Sequence, residues 1–267
     1  MRRWRAAPVV TIAAVSVLAT TACRDDRVLV VYAPPAGASY AYDVHVASSS
    51  TTTIPGRPTA SPHDEVDLTA HQRVLDTSGG TTRVEVTLDR PGVGARTFVM
   101  RFDRAAQLSA VESVEGIPTG ALGELGLSEI FPAAAGAPPD RRLRPGDRWV
   151  IDDLVQLPGM DAPARLSGTG RLVSLGVEGG RDTATVTSTT TLPLRATTSA
   201  ANSVQTLEGT ETTEITVVYD LADGSVRRST AVTTGAFQVT LAPPGGQTTA
   251  AIRGTVDVEV RSRISRV

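Results

Sequence analysis

Alternation at every second residue is the feature that most constrains this chain. In Val84-Glu85-Val86-Thr87-Leu88 the apolar residues take one parity and the polar residues the other, and Val256-Asp257-Val258-Glu259-Val260 does the same. Successive side chains of a strand point to opposite faces, so such segments form strands with one apolar and one wet face. A chain built from them folds only by covering that apolar face with a second layer or with its own curvature.

Turn residues divide the alternating runs into pairs. Residues 66–88 read as two strands around Thr77-Ser78-Gly79-Gly80, with Val84, Val86 and Leu88 inward and Arg83, Glu85 and Thr87 outward. The next pair, residues 95–103 and 108–114, is joined by Asp103-Arg104-Ala105-Ala106, with Phe98, Met100 and Phe102 on one face. A second series resembles the first. Residues 165–176 and 183–194 flank Val177-Glu178-Gly179-Gly180, and residues 215–232 echo residues 97–114, with Tyr219-Asp220 standing where Phe102-Asp103 stood. Each half opens on an aromatic strand, Tyr40-Ala41-Tyr42 in one and Trp149-Val150-Ile151 in the other. These echoes predict a pseudo-repeat whose halves share one core, because a half of that size buries too little sheet face alone. Chance likeness between Val- and Thr-rich hairpins is the competing reading.

Between the halves, residues 119–130 predict a short helix with Leu122, Leu125 and Ile130 on one face, weakened by Gly120, Gly123 and Gly126. This connector, residues 119–144, is read as a surface-packed element or lid, with Leu122, Leu125, Ile130, Phe131 and Trp149 as candidate ligand contacts. For Trp149 itself, packing under the sheet competes with ligand stacking. Last come strands at residues 236–241 and 248–264, with Val256, Val258, Val260 and Ile264 inward. The expected fold is all-β or β-dominated (α+β): a long, curved antiparallel sheet or half-barrel of two pseudo-repeated halves, roughly residues 39–118 and 145–267, with one short helix between them.

The first 22 residues have a different character. Met1-Arg2-Arg3-Trp4-Arg5 is a basic head, residues 6–19 are mostly apolar without an acid, and small residues follow, which is the layout of an export signal. The apolar run is too short and too rich in Thr and Ser to favour a permanent span. Removing it leaves 23 arginines against 28 carboxylates, since the chain has 26 basic residues and Arg2, Arg3 and Arg5 go with the signal. That balance of about −5 disfavours a nucleic-acid partner. Cys23, the one cysteine, follows Ala22 directly. With no second cysteine an intramolecular disulfide is impossible, and the domain at residues 39–267 must stand on core packing.

Leu18-Ala19-Thr20-Thr21-Ala22-Cys23 resembles a bacterial lipobox, although Thr20 stands where the family's pattern has Leu. The resemblance implies cleavage between Ala22 and Cys23 and a diacylglycerol thioether on Cys23. It makes residues 1–22 a signal peptide and 23–38 a lipidated N-terminus and tether. The competing reading is ordinary signal cleavage with an incidental thiol, which would leave the protein secreted. Two or three acyl chains on one residue suffice to hold a protein at a bilayer, where one chain does not. Together with the Tyr-x-Tyr opening strand, the paired Thr-rich hairpins and Pro145-Gly146-Asp147-Arg148-Trp149, this start is similar to an uncharacterised group of bacterial envelope lipoproteins, mainly actinobacterial, that carry a Pro-Gly-Asp-x-Trp motif. More remotely the layout is similar to envelope lipoprotein carriers and mycobacterial lipid-carrying lipoproteins, in which a curved sheet wraps an apolar cavity closed by helices.

Catalytic chemistry finds little support in these residues. His45, His63 and His71 have no metal-ligand spacing, and no metal or cofactor is expected. Ser61-Pro62-His63-Asp64-Glu65 is explained as a loop before a strand. The chain has no G-x-S-x-G elbow and no phosphate-cradling glycine loop. Asp152 and Asp153 are strand neighbours and so point to opposite faces. Aromatics at 4% are too few for a carbohydrate platform. The expectation is therefore a non-enzymatic, lipid-anchored protein on the outer face of the cell membrane that binds a lipid, another apolar ligand or a partner protein of unknown identity. The alternative is a structural envelope protein without a small-molecule ligand.

Overall fold

The computed structural model describes residues 27–92, 94–106, 108–114, 138–155, 163–200, 203–242 and 251–267. Among them, eleven strands form one antiparallel sheet: β1 (Ser39–Thr53), β2 (His63–Ser78), β3 (Thr81–Arg90), β4 (Gly94–Phe102), β5 (Leu108–Val114), β6 (Arg148–Val155), β7 (Ala164–Glu178), β8 (Arg181–Ala200), β9 (Ser203–Asp220), β10 (Val226–Ala242) and β11 (Ile252–Arg266). Their order is β5-β4-β3-β2-β1-β11-β10-β9-β8-β7-β6. The signal segment, Ala22, Cys23 and the predicted helix with Leu122, Leu125, Ile130 and Phe131 lie outside the described residues.

The two halves are visible as two five-stranded meanders, β1 to β5 and β6 to β10. The hairpins at Gly79-Gly80 and Gly179-Gly180 have the same backbone, φ +59° and +76° in each. Asp103 accepts a hydrogen bond from the Ala105 amide at 2.8 Å, and its counterpart Asp220 does so from Ala222 at 3.0 Å. β11 belongs to neither meander and lies between β1 and β10. Equivalent strands of the two halves point the same way, so β1 and β10 placed side by side would be parallel. One inserted strand restores antiparallel pairing. The same arithmetic leaves the edge strands β5 and β6 parallel to each other, so an odd number of alternating strands cannot close into a purely antiparallel barrel.

β10 runs unbroken through Gly235, whereas the sequence suggests a break between the hairpin at residues 215–232 and a strand at 236–241. Fourteen consecutive cross-strand pairs with β11, Arg228↔Ser265 to Leu241↔Ile252, outweigh one flexible residue.

One face carries the core, and the expected alternation is what builds it. Val84, Val86, Leu88, Phe98, Met100 and Phe102 are buried with Tyr40, Tyr42 and Val44 in one cluster. Trp149, Ile151, Leu166, Leu172, Val186, Ile215 and Tyr219 form another. Partly buried Ala106 and Val226 pack against both clusters, which is how the halves share a core.

The stretch expected to be a tether joins that core from Val28 onward. Val28 pairs with Leu143 through backbone bonds of 2.8 and 2.7 Å, and Val30 and Tyr32 are buried in the second and first clusters respectively. The Ala33 amide donates to Asp223, and that of Gly37 to Val74. Residues 28–38 are thus a strap across one end of the sheet, here called the base. The hairpins at 79–80, 103–106, 179–180 and 221–225 lie at this end. Gly224 has φ +68°, and a Cβ there would sit 1.8 Å from the Val31 carbonyl oxygen, so glycine is required where the strap crosses.

Candidate functional site

Away from the base the buried face changes from packed to half-open. On β11, Val256, Val258 and Val260 share a face with Val44 and Val46 of β1, but they are only partly buried. Across the ladders they stand opposite Phe237, Gly235 and Thr233 of β10, and beyond these come Gly209, Glu211 and Thr213 of β9. Leu194 and Leu192 of β8 continue the rows. The result is an apolar stripe over four strands with one carboxylate, Glu211, on its face. Nearer the base this face has small hydroxyls: Ser188, Thr190, Thr213, Ser229 and Ser262 are all buried. Thr213 and Thr233 are 3.0 Å apart, Oγ1 to Oγ1, so one hydroxyl satisfies the other.

Trp149, a candidate ligand contact, lies in the core instead. It is 8% exposed, and its ring occupies the space that a side chain at Gly170, its cross-strand partner, would take. Its indole N–H has no acceptor among the described residues. The other predicted site residues lie outside the described residues.

The base holds the ionic and aromatic contacts. Asp220 is fully buried, and Arg181, Arg227 and Arg266 stand around its Oδ2 at 3.3, 3.5 and 4.0 Å. Arg266 also lies 4.4 Å above the Tyr40 ring and donates to Ser225 Oγ at 2.9 Å. Tyr40 donates to Asp223 Oδ2 at 2.9 Å. Burial pushes the Asp223 carboxyl up, but hydrogen bonds from the Ser225 hydroxyl and amide and from Tyr40, with the charge of Arg266, hold it below the usual carboxylate range. Sequence reasoning did not single out this cluster. The signal available was the repeated aromatic-Asp ending of β4 and β9.

Among the described residues, shallow grooves open on the wet face. One, of about 560 Å³, is lined by Ser49, Thr51, Thr210, Thr212, Asp257 and Glu259. Another, of about 330 Å³, contains Asp43, His45, Asp67, Arg263 and Ser265. His45 Nδ1 lies 2.7 Å from Asp67 Oδ1, the orientation a general base uses. However, the residue across the ladder from His45 is Arg263, and Ser265 stands opposite Asp43, so no hydroxyl faces the imidazole in the ladder. His71 and His63 open onto the same wet face without joining this pair. Among the described residues no three His, Cys, Asp or Glu side chains are grouped so as to hold a metal.

No family model and no curated protein matches this chain. Among solved structures it is similar to a DUF1329 family protein from Desulfovibrio piger ATCC 29098, at 9% identity over 82% of this chain and 83% of that one. The TM-score is 0.21, a likeness too slight to carry an argument.

Asp152 and Asp153 part as strand geometry requires. Asp152 takes both oxygens into a pair with Arg165, at 2.7 Å each. That bond holds the Asp152 carboxyl below its ordinary range and uses it structurally. Glu112 is used likewise: hydrogen bonds from Arg83 and then Arg101 lower its carboxyl.

Proposed function

We propose that the protein is an exported, non-enzymatic envelope lipoprotein, anchored through Cys23, that holds an apolar ligand on the buried face of its open sheet. The observation that carries the ligand reading is the half-open stripe of Val256, Val258, Val260, Leu192 and Leu194, continuous with the core yet only partly covered at several positions. A partly covered apolar face on an unclosed sheet suits an acyl chain, which needs area and few polar contacts. The non-enzymatic reading is supported by the displaced carboxylates: Glu112, Asp152 and Asp223 are each engaged in a structural bond. The anchor reading is supported by the lipobox-like residues before Cys23.

Two measurements test it. Intact mass of the membrane-extracted protein should show a diacylglycerol-modified Cys23 at the N-terminus, and an unmodified thiol there would end the lipoprotein reading. Lipid extraction and mass spectrometry of the same sample should recover bound lipid from the wild type and much less from Val258→Arg. Equal recovery from both would exclude this face. No lipid from either would favour the structural envelope protein, a reading that the tightly strapped base also suits.

A further inference from the structure

The wet face has two cross-strand arginine pairs, and they are treated differently. Like charges directly opposite on a ladder repel. Arg83 faces Arg101 between β3 and β4, and Glu112 bonds both guanidiniums, the first at 2.6 Å. Arg148 faces Arg171 between β6 and β7, and neither has an ion-pair partner among the described residues. Two carboxylates close to Arg148 in sequence are engaged elsewhere: Asp152 by Arg165, and Asp147 by Arg141 and Arg144 at 3.4 and 3.6 Å. Arg141, Arg142 and Arg144 belong to the same corner of the base. Five arginines therefore gather with two acids, Asp147 and Asp140, the second of them paired with Arg104 at 3.5 Å.

The place of this corner identifies its partner. Leu143, between Arg142 and Arg144, is the residue that pairs with Val28. The described chain thus starts at the arginine corner, and Arg27 beside it is exposed. Cys23 lies five Cα steps from Val28, at most about 18 Å of extended chain. We propose that Arg141, Arg142, Arg144, Arg148 and Arg171 dock on the anionic headgroups of the membrane, so that the base faces the bilayer and the half-open stripe lies toward its far end. The geometry rests on the lipoprotein reading for the position of the anchor, whereas the charge complementarity does not.

The test is sedimentation of the full chain with vesicles of phosphatidylcholine alone and of phosphatidylcholine mixed with phosphatidylglycerol. The wild type should bind the mixed vesicles more tightly, and that gain should vanish at high salt, where the screening length falls to about 3 Å. The triple variant Arg141→Gln, Arg142→Gln, Arg148→Gln should lose the gain, on the order of a hundredfold in affinity, since each surface arginine contributes about fivefold. Arg57→Gln, Arg195→Gln, Arg253→Gln, with the same charge change at the far end, should keep it. Unchanged Trp149 emission shows that either variant is folded. Retention of the gain by the corner variant, or equal loss in both, overturns the proposal, as does saturable binding of inorganic phosphate with no phosphatidylglycerol dependence. Cys23→Ser separates the two readings: the phosphatidylglycerol-dependent term should survive in it even if intact mass shows that Cys23 is never acylated.

Discussion

The Tyr219 hydroxyl donates to the Ala105 carbonyl at 2.7 Å, although six strand spacings separate β9 from β4 in the sheet. Laid flat, six spacings would be about 29 Å. The bond is therefore a direct measure of how far the sheet rolls, and it joins the end of β9 to the turn that follows β4. Tyr219→Phe keeps the packing and deletes the donor, leaving a carbonyl unpaired beside a buried ring. Urea denaturation should show a loss of about 1–3 kcal/mol. An unchanged midpoint would mean that the rolled shape is held without this contact.

The strap offers a second test. Gly224→Ala would put a methyl group into the Val31 carbonyl at a backbone angle that disfavours side chains. The cheapest relief is to lift residues 28–34 from the base, uncovering Val30 and Tyr32. Limited proteolysis should then cut within residues 27–34, which the wild type protects, and stability should fall by about 2–5 kcal/mol, the range for losing a large buried side chain. Protection equal to wild type would show that the crossing adjusts in place.

What the sequence made legible was local. Alternation at Val84 to Leu88 and Phe98 to Phe102, and the double glycines at 79–80 and 179–180, identify strands and hairpins from residues a few positions apart. The place of β11 was not legible, because Tyr42↔Arg266 joins positions near opposite ends of the chain, and nothing local in either strand names the other. The strap was missed for the same reason. Residues 28–38 read as a tether, and the strap's partners Val74, Arg104, Leu143 and Asp223 are spread over four later segments. The arginine corner needs the β6–β7 register, since Arg148 and Arg171 are unremarkable until they face each other. Trp149 was legible as a strand opener, but Gly170 as the residue that makes room for it was not.

That tryptophan is its own reporter. In a chain that begins at Cys23, and so lacks Trp4, it is the one tryptophan. At 8% exposure it should emit at short wavelength. Gly170→Ala would place a Cβ 2.2 Å from the indole and force the ring outward. The variant should show red-shifted emission and easier quenching by iodide, together with a loss of about 1–3 kcal/mol from overpacking. Unshifted emission would mean that the ring slides within the core.

All four tyrosines, Tyr32, Tyr40, Tyr42 and Tyr219, belong to the buried base, and in each burial is the largest cause that raises the phenol. For Tyr40 the hydrogen bond to Asp223 adds to it, and Arg266 works against it in both Tyr40 and Tyr42. The unfolded phenols ionise near pH 10. A folded pKa above the unfolded one stabilises the fold fully below pH 10, and that stabilisation is lost progressively as the pH rises from there toward the folded values. In an alkaline titration the folded protein should therefore show almost no phenolate absorbance at pH 10, where free tyrosine is half ionised. The absorbance should appear in one step, coincident with loss of the far-ultraviolet β-sheet signal. Any tyrosine titrating near its ordinary value while the sheet remains intact would show that the base is open to solvent, and that the strap does not seal it.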